Sequence, residues 1–182
     1  MVRPLSMSPA LNPHLSFLFG RRSVRAYQQK PVSDDMVADL LSAAMAAPSA
    51  CGKDPWRFVV ARQKPTLQAL ATALPNGSMS AGAPLGIVVG GDLDAAHANE
   101  LSYLLQDCAA AIENLLLAAP ALGLGACWLG IHPRPPRIEA VSKILGLPAN
   151  IVPVSGIAIG WPAEEKVART RFDAKYVHKE TW

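Results

Sequence analysis

Residues 95–122 form a stretch near the middle of the chain that is apolar on almost every side. Its large apolar residues recur three and four positions apart, and they are Leu101, Leu104, Leu105, Cys108, Ile112, Leu115, Leu116 and Ala119. A helix that lacks a wide polar face has to be buried by more than one neighbour. The sequence therefore predicts a central helix around which the rest of the chain packs, and Pro120 is expected to kink or end it.

Short runs of β-favouring residues alternate with helical patterns along the rest of the chain. Strands are predicted at 57–61, 85–89, 126–131 and 151–161, and helices at 12–19, 33–46, 136–145 and from Pro65 onward. This alternation predicts a layered α/β or α+β fold. We expect a loose N-terminal arm at 1–11 and a single domain at 12–182. The basic tail at 166–182 has few aliphatic residues, so it is expected to lie across the domain.

The composition excludes several classes of protein. Of the 182 residues, 51% are hydrophobic and 17% are charged, which excludes a disordered chain. The formal net charge of +3 does not argue for nucleic-acid binding. The sequence shows neither a signal-peptide pattern nor an apolar run of membrane-spanning length, so no membrane association is expected. Three widely spaced cysteines and four isolated histidines predict reduced thiols in the cytoplasm and no metal site.

A basic segment follows the first predicted helix. If this segment is extended, Arg21, Ser23 and Arg25 face the same side. Two guanidinium groups that flank a hydroxyl could bind a phosphate. The alternative interpretation is a solvated basic surface.

The loop between the second predicted helix and the first predicted strand ends at Trp56. It exposes the hydroxyl of Ser49, the ammonium of Lys53 and the carboxylate of Asp54 beside that aromatic ring. Binding groups often collect on such loops, although an ordinary connection is the alternative interpretation. The segment around Gly123 and Gly125 superficially resembles a dinucleotide-binding fingerprint. It has no third glycine, and it leads from a helix into a strand, whereas the fingerprint leads from a strand into a helix. No hydrolase or kinase motif is present in the sequence.

Five segments carry a family resemblance. They are RRSVRAY at 21–27, APS at 47–49 with PW at 55–56, DCAAAIENLLLAA at 107–119, ALGLG at 121–125, and the segment at 154–162. In this order they resemble the FMN-dependent nitroreductase family, in particular its small single-domain members. The resemblance covers about residues 15–182.

The resemblance implies an α+β fold with a mixed central β-sheet wrapped by helices. It also implies an intertwined homodimer with one FMN at each of two interface sites. The apolar helix at 95–122 is consistent with such a dimer, because one of its faces could meet a second copy of the chain.

The resemblance also implies the residues that bind FMN. Arg21 and Ser23 would hold the phosphate, Arg22 belongs to the same stretch, and Arg25 would reach the pyrimidine side of the ring. Arg171 in the tail would be a second phosphate ligand.

Further contacts are implied from a loop and from a strand. Pro48, Ser49 and Ala50 would pack on the flavin bound mainly by the partner chain. Leu129, Gly130 and Ile131 would present backbone groups to the flavin. The sequence departs from the family at Gly52 and Asp54, where Asn and Gln are usual. This departure puts the ring contacts of the loop in question, and Lys53 and Asp54 are the candidate ligands there.

The function implied by the resemblance is that of an FMN-dependent NAD(P)H oxidoreductase with two alternating half-reactions. NADH or NADPH would reduce FMN, and a nitroaromatic, quinone or similar acceptor would then enter the same cleft. No side chain is expected to carry the chemistry, and Arg25 would act electrostatically. The alternatives are a non-redox FMN-binding or sequestering protein and a flavin-dependent dehalogenase or flavin-fragmenting relative. The acceptor and the preference for NADH or NADPH stay open.

Overall fold

The computed structural model describes residues 12–182, so the predicted arm at 1–11 lies outside the described residues. The helices are α1 (Ser16–Gly20), α2 (Asp34–Met45), α3 (Lys64–Ala73), α4 (Leu101–Ala121) and α5 (Pro135–Leu145). The strands are β1 (Trp56–Ala61), β2 (Leu85–Asp92), β3 (Gly125–Gly130) and β4 (Ile151–Gly160). All four predicted strands are present, and the ends of the predicted elements shift by a few residues.

The four strands form one sheet in the order β1-β2-β4-β3. Every neighbouring pair is antiparallel. The α+β class is confirmed, but the expected mixed sheet is corrected. Within residues 12–182, parallel pairing occurs only as an isolated bridge between Ser23 and Ala126.

The central helix α4 packs on one face of the sheet and against α2. Leu104, Ile112 and Leu115 on α4 are fully buried, as the apolar pattern predicts. The helix begins at Leu101 and not at 95, because Ala98 and Asn99 have φ angles of 53° and 56°, in the left-handed region. Pro120 lies in the last turn, which agrees with the prediction that it ends the helix.

Helices α3 and α5 cover the opposite face of the sheet, where Leu70, Val88 and Val141 belong to a second apolar cluster. Ile87 and Val89, the two neighbours of Val88 on β2, point to the other face of the sheet, where they pack with α4. The sheet is therefore buried on both faces. Burial on both faces explains why β2 reads as a continuous apolar run and not as an alternating one.

The C-terminal tail crosses the segment that follows α1. The Ala163 N–H donates to the Ala26 carbonyl at 2.9 Å, and the Arg169 N–H donates to the Phe19 carbonyl at 3.1 Å. The prediction that the tail lies across the domain is confirmed. None of the helices in the described part of the chain has the length and apolar character needed to cross a membrane.

Candidate functional site

The basic segment at 21–25 runs beside β3. Ser23 forms the parallel bridge to Ala126, and the Val24 N–H donates to the Ala126 carbonyl at 3.0 Å. The Val24 side chain is buried against Gly125. Since alternate residues of an extended segment face opposite sides, burial of Val24 turns Ser23 and Arg25 away from the core.

This segment and the tail enclose a cavity of about 350 Å³, which we call the basic cavity. Its lining residues are Leu18, Arg21, Arg22, Ser23, Arg25, Lys166, Arg169 and Arg171. The structure thus brings Arg171 to the predicted segment across a long separation in sequence. Lys166 and Arg169 were not among the predicted ligands, although the basic composition of the tail was a signal for both. Arg22, which the resemblance assigns to the same stretch, lines this cavity with its neighbours.

The basic cavity has more cationic than anionic side chains around it, since only Arg21 and Lys166 of its lining residues form ion pairs with carboxylates in the described part of the chain. No Asp or Glu side chain of residues 12–182 lines the cavity. The nearby guanidinium groups of Arg22 and Arg171 lower the pKa of Arg169, because each positive charge disfavours the next. Such a concentration of guanidinium donors suits an anion with several oxygens, above all a phosphate.

Carboxylates at the margin of the basic cavity hold its side chains in place. Glu113 on α4 lies 3.4 Å from the Arg21 guanidinium. The Glu164 carboxylate accepts a hydrogen bond from the backbone N–H of Arg25 at 2.6 Å and forms an ion pair with the Lys166 ammonium. These contacts from Lys166 and Arg25 lower the pKa of Glu164. The tail is thereby tied to the basic segment.

A second cavity, of about 450 Å³, opens beside β3, and we call it the β3 cavity. Its lining residues are Arg25, Leu74, Pro75, Asn76, Ser78, Met79, Cys127, Trp128, Leu129, Gly130 and Arg137. It shares Arg25 with the basic cavity, so the two cavities are adjacent. One has the donors that a phosphate needs, and the other combines Trp128 and aliphatic side chains with the polar residues Asn76, Ser78 and Arg137. Together they suit a flat ring system that carries a phosphate.

The two strand residues predicted to face the ligand, Leu129 and Gly130, both line the β3 cavity. The Leu129 carbonyl accepts a hydrogen bond from the Ser155 hydroxyl at 3.3 Å, and the Gly130 carbonyl accepts one from the Arg137 guanidinium at 2.8 Å. Ile131 is fully buried and does not line this cavity. Asn76, Ser78, Met79 and Arg137 had no signal in the sequence that tied them to β3.

The predicted loop residues Pro48, Ser49, Ala50, Lys53 and Asp54 line neither cavity of their own chain. Within the loop, the Ser49 hydroxyl donates to the Asp54 carboxylate at 2.5 Å, and the Asp54 N–H donates to the Ser49 hydroxyl at 3.0 Å. The Asp54 carboxylate is therefore hydrogen-bonded within the loop. The Lys53 ammonium takes no part in these hydrogen bonds.

A buried carboxylate on α4 holds this loop from below. Asp107 is only 5% exposed, and its Oδ1 accepts a hydrogen bond from the Ala50 N–H at 2.9 Å. Its Oδ2 has no hydrogen-bond partner among residues 12–182. Asp107 thus links the central helix to the loop through one of its two oxygens.

The described part of the chain contains no group of three or more His, Cys, Asp or Glu side chains that could hold a metal ion. All three cysteines are free thiols, of which Cys51 is exposed and the other two are buried. The candidate site therefore consists of the two adjoining cavities and their cationic and aromatic lining.

The fold and the cavities define an α+β protein in which a basic cavity adjoins a larger one lined by Trp128 and by aliphatic and polar residues. A sequence profile described as the Nitroreductase family matches residues 18–77 and 63–161. A protein of Archaeoglobus fulgidus assigned as an NADH dehydrogenase/NAD(P)H nitroreductase is 40% identical over 171 residues, which cover 92% of this chain and 98% of that protein. The chain belongs to the nitroreductase family.

Solved structures agree with this assignment. A protein of Desulfovibrio desulfuricans assigned as a nitroreductase and solved in complex with FMN is 34% identical, with a TM-score of 0.81, and the match covers 95% of this chain and 99% of that one. An FMN-dependent nitroreductase of Clostridium difficile is 29% identical, with a TM-score of 0.85, and the match covers 92% of this chain and 99% of that one.

Proposed function

We propose that this chain is an FMN-dependent NAD(P)H oxidoreductase that passes two electrons from NADH or NADPH to a nitroaromatic, quinone or related acceptor. The observation that carries the proposal is the junction of the two cavities at Arg25. One cavity offers several guanidinium groups with no carboxylate in its lining, and the other offers Trp128 and aliphatic side chains that could border a flavin ring. The FMN-bound relative from Desulfovibrio desulfuricans supports the same cofactor.

The residues present fit FMN. Arg21, Ser23 and Arg171 would hold its phosphate, with Arg22 and Arg169 adding positive charge. Trp128, Met79 and the Leu129–Gly130 backbone would border the ring. When bound, FMN supplies the capacity to accept a hydride and to release two electrons to a second substrate.

The protein contributes orientation and electrostatics to this chemistry. Arg25 lines both cavities, so it would place a fixed positive charge near the ring as well as near the phosphate end. A fixed cation stabilises negative charge that develops beside it and requires no reorganisation when the charge appears. For a quinone acceptor the overall reaction balances as NAD(P)H, a proton and the quinone giving NAD(P)⁺ and the hydroquinone.

We further propose that the protein acts as a homodimer in which the loop at 48–54 completes the site of the partner chain. Two features support this arrangement. The loop lines neither cavity of its own chain. Large apolar side chains on α1 and at the start of α4, namely Phe17, Leu18, Leu101 and Tyr103, are exposed in the single chain and would be covered by a second copy. Three free thiols favour a reducing compartment, and we place the protein in the cytoplasm.

The proposal is tested with the purified protein. It should be yellow with about one FMN per chain, NADH or NADPH should bleach it under anaerobic conditions, and a nitroaromatic or a quinone should restore the colour. A colourless protein that fails to take up FMN would contradict the proposal. A yellow protein that neither reductant bleaches would favour the non-redox FMN-binding alternative. Sedimentation should give about twice 19.3 kDa.

A further inference from the structure

The β3 cavity contains a guanidinium group that the proposed cofactor does not account for. Arg137 lies in the first turn of α5 and is half-buried. One of its nitrogens donates to the Gly130 carbonyl at 2.8 Å, which fixes the side chain against the end of β3. Arg137 does not line the basic cavity, where other cations already serve the phosphate end.

The remaining donors of Arg137 have no anionic partner. No ion pair joins Arg137 to a carboxylate in the described part of the chain, and no Asp or Glu of residues 12–182 lines the β3 cavity. The turn at 75–78 adds the polar side chains of Asn76 and Ser78 to the same lining. A guanidinium that is already held in place loses little conformational freedom when it binds an oxyanion.

We propose that Arg137, together with Asn76 and Ser78, forms a subsite for an oxyanion carried by the substrate that enters the β3 cavity. The proposal rests on the proposed function, because it places the reductant or the acceptor in this cavity beside the flavin. The favoured substrates carry a carboxylate or a phosphate. The oxyanion belongs either to the acceptor or to the 2′-phosphate that distinguishes NADPH from NADH.

The first arm of the test compares 4-nitrobenzoate with 4-nitrobenzamide, which have similar shapes and differ in charge. We expect Arg137→Gln to lower the ratio of their kcat/KM values about tenfold, since it removes a charge-assisted hydrogen bond, and tenfold corresponds to about 1.4 kcal/mol. Arg137→Lys should lower the ratio less, because it keeps the charge but loses the planar fork. Arg134→Gln is the matched control, since Arg134 is exposed, carries the same charge and lines neither cavity.

The second arm compares the rates at which NADPH and NADH bleach the flavin. If Arg137→Gln slows bleaching by NADPH but not by NADH, and the ratio of kcat/KM for 4-nitrobenzoate and 4-nitrobenzamide is unchanged, the oxyanion is the 2′-phosphate. A change in the acceptor ratio alone would assign it to the acceptor. Either result supports the subsite. If both ratios in Arg137→Gln equal those of Arg134→Gln, the proposal is overturned.

A binding measurement separates failure of the subsite from failure of the proposed redox function. Calorimetric titration of the purified protein with benzoate and with benzamide needs no turnover. We expect Arg137→Gln to weaken benzoate binding about tenfold relative to benzamide, which would support the subsite even in a protein that NAD(P)H does not bleach. An unchanged selectivity for benzoate over benzamide, together with an unchanged selectivity for NADPH over NADH, would overturn the proposal. A loss of FMN affinity in Arg137→Gln that Arg134→Gln does not share would also overturn it.

Discussion

Gly125 is the residue whose substitution tests most directly how the basic segment is mounted on the sheet. A Cβ added at Gly125 would lie 2.7 Å from Val24 Cβ, 2.8 Å from Cγ1 and 2.9 Å from Cγ2. Carbon atoms in contact normally lie about 3.5–4.0 Å apart. Because all three side-chain carbons of Val24 stand in the way, a rotation about χ1 does not relieve the clash. In Gly125→Ala, the basic segment therefore has to move away from β3 by roughly 1 Å.

Two consequences of Gly125→Ala follow from this displacement. Overpacking of this kind costs about 1–3 kcal/mol, and a chain of this size loses about 2–4 °C in Tm per kcal/mol, so Tm should fall by about 2–12 °C. Ser23 and Arg25 move together with Val24, and a hydrogen bond stretched by about 1 Å is no longer one. Loss of one charge-assisted bond, worth about 1.5–3 kcal/mol, should raise the Kd for FMN about 10- to 150-fold.

The assays are thermal unfolding and titration of the apo-protein with FMN, which measure the two consequences separately. Gly82→Ala is the control, since a Cβ there would meet nothing within 4 Å and the φ angle is ordinary. Gly82→Ala should keep the wild-type Kd for FMN and gain up to about 1 kcal/mol of stability. Adding Val24→Ala to Gly125→Ala removes two of the three close contacts and should restore part of the loss. A wild-type Tm and a wild-type FMN affinity in Gly125→Ala would refute the reasoning.

Three further predictions concern named side chains. Arg21→Ala and Arg171→Ala should each weaken FMN binding by about 1.5–3 kcal/mol in a titration of the apo-protein, and unchanged affinity in both variants would return these residues to a solvated surface. Arg25→Ala should stay yellow while its flavin potential falls by tens of millivolts, since about 30 mV corresponds to 1.4 kcal/mol for two electrons; a wild-type potential measured with FMN fully bound would remove Arg25 from the site. Burial raises the pKa of Cys108 to about 12 and also raises that of Cys127, so neither thiol should be alkylated at pH 8 until the protein is unfolded. Mass mapping of the labelled peptides checks this, and labelling of either thiol in the native protein would count against their burial.

The parts of the fold that the sequence predicted are those in which one long pattern dominates. The apolar repeat of α4 specifies burial from Leu104 to Ala119, and the apolar run of β2 specifies burial from Leu85 to Val89. The beginning of α4 was misplaced because Ala98 and Asn99 continue an apolar or neutral pattern while their backbone is left-handed. An alanine with a φ of 53° leaves no trace in a hydrophobicity pattern, since tertiary packing and not local preference holds it there.

The residues of the candidate site also divide into those that the sequence could predict and those that it could not. The segment at 21–25 was predictable because Arg21, Ser23 and Arg25 stand at alternate positions. Arg137 was not predictable, since its role in the β3 cavity depends on α5 returning to the end of β3. Lys166 and Arg169 stand between these cases. The composition of the tail marked them as basic, but only the crossing of the tail over residues 19–26 places them in the basic cavity.

The loop at 48–54 shows why local rules fail where a chain builds a site. Cys51 and Asp54 have φ angles of 52° and 48°, in the left-handed region that non-glycine residues seldom adopt. Such conformations persist only where surrounding contacts fix them, and here Asp107 on α4 holds Ala50 from a distant part of the sequence. Asp107 is buried with one oxygen unpaired among residues 12–182, which is costly for a side chain that serves packing alone. A strained loop held by a buried carboxylate is the arrangement expected of a segment that acts on another molecule, and this supports the proposal that the loop meets the flavin of a second copy.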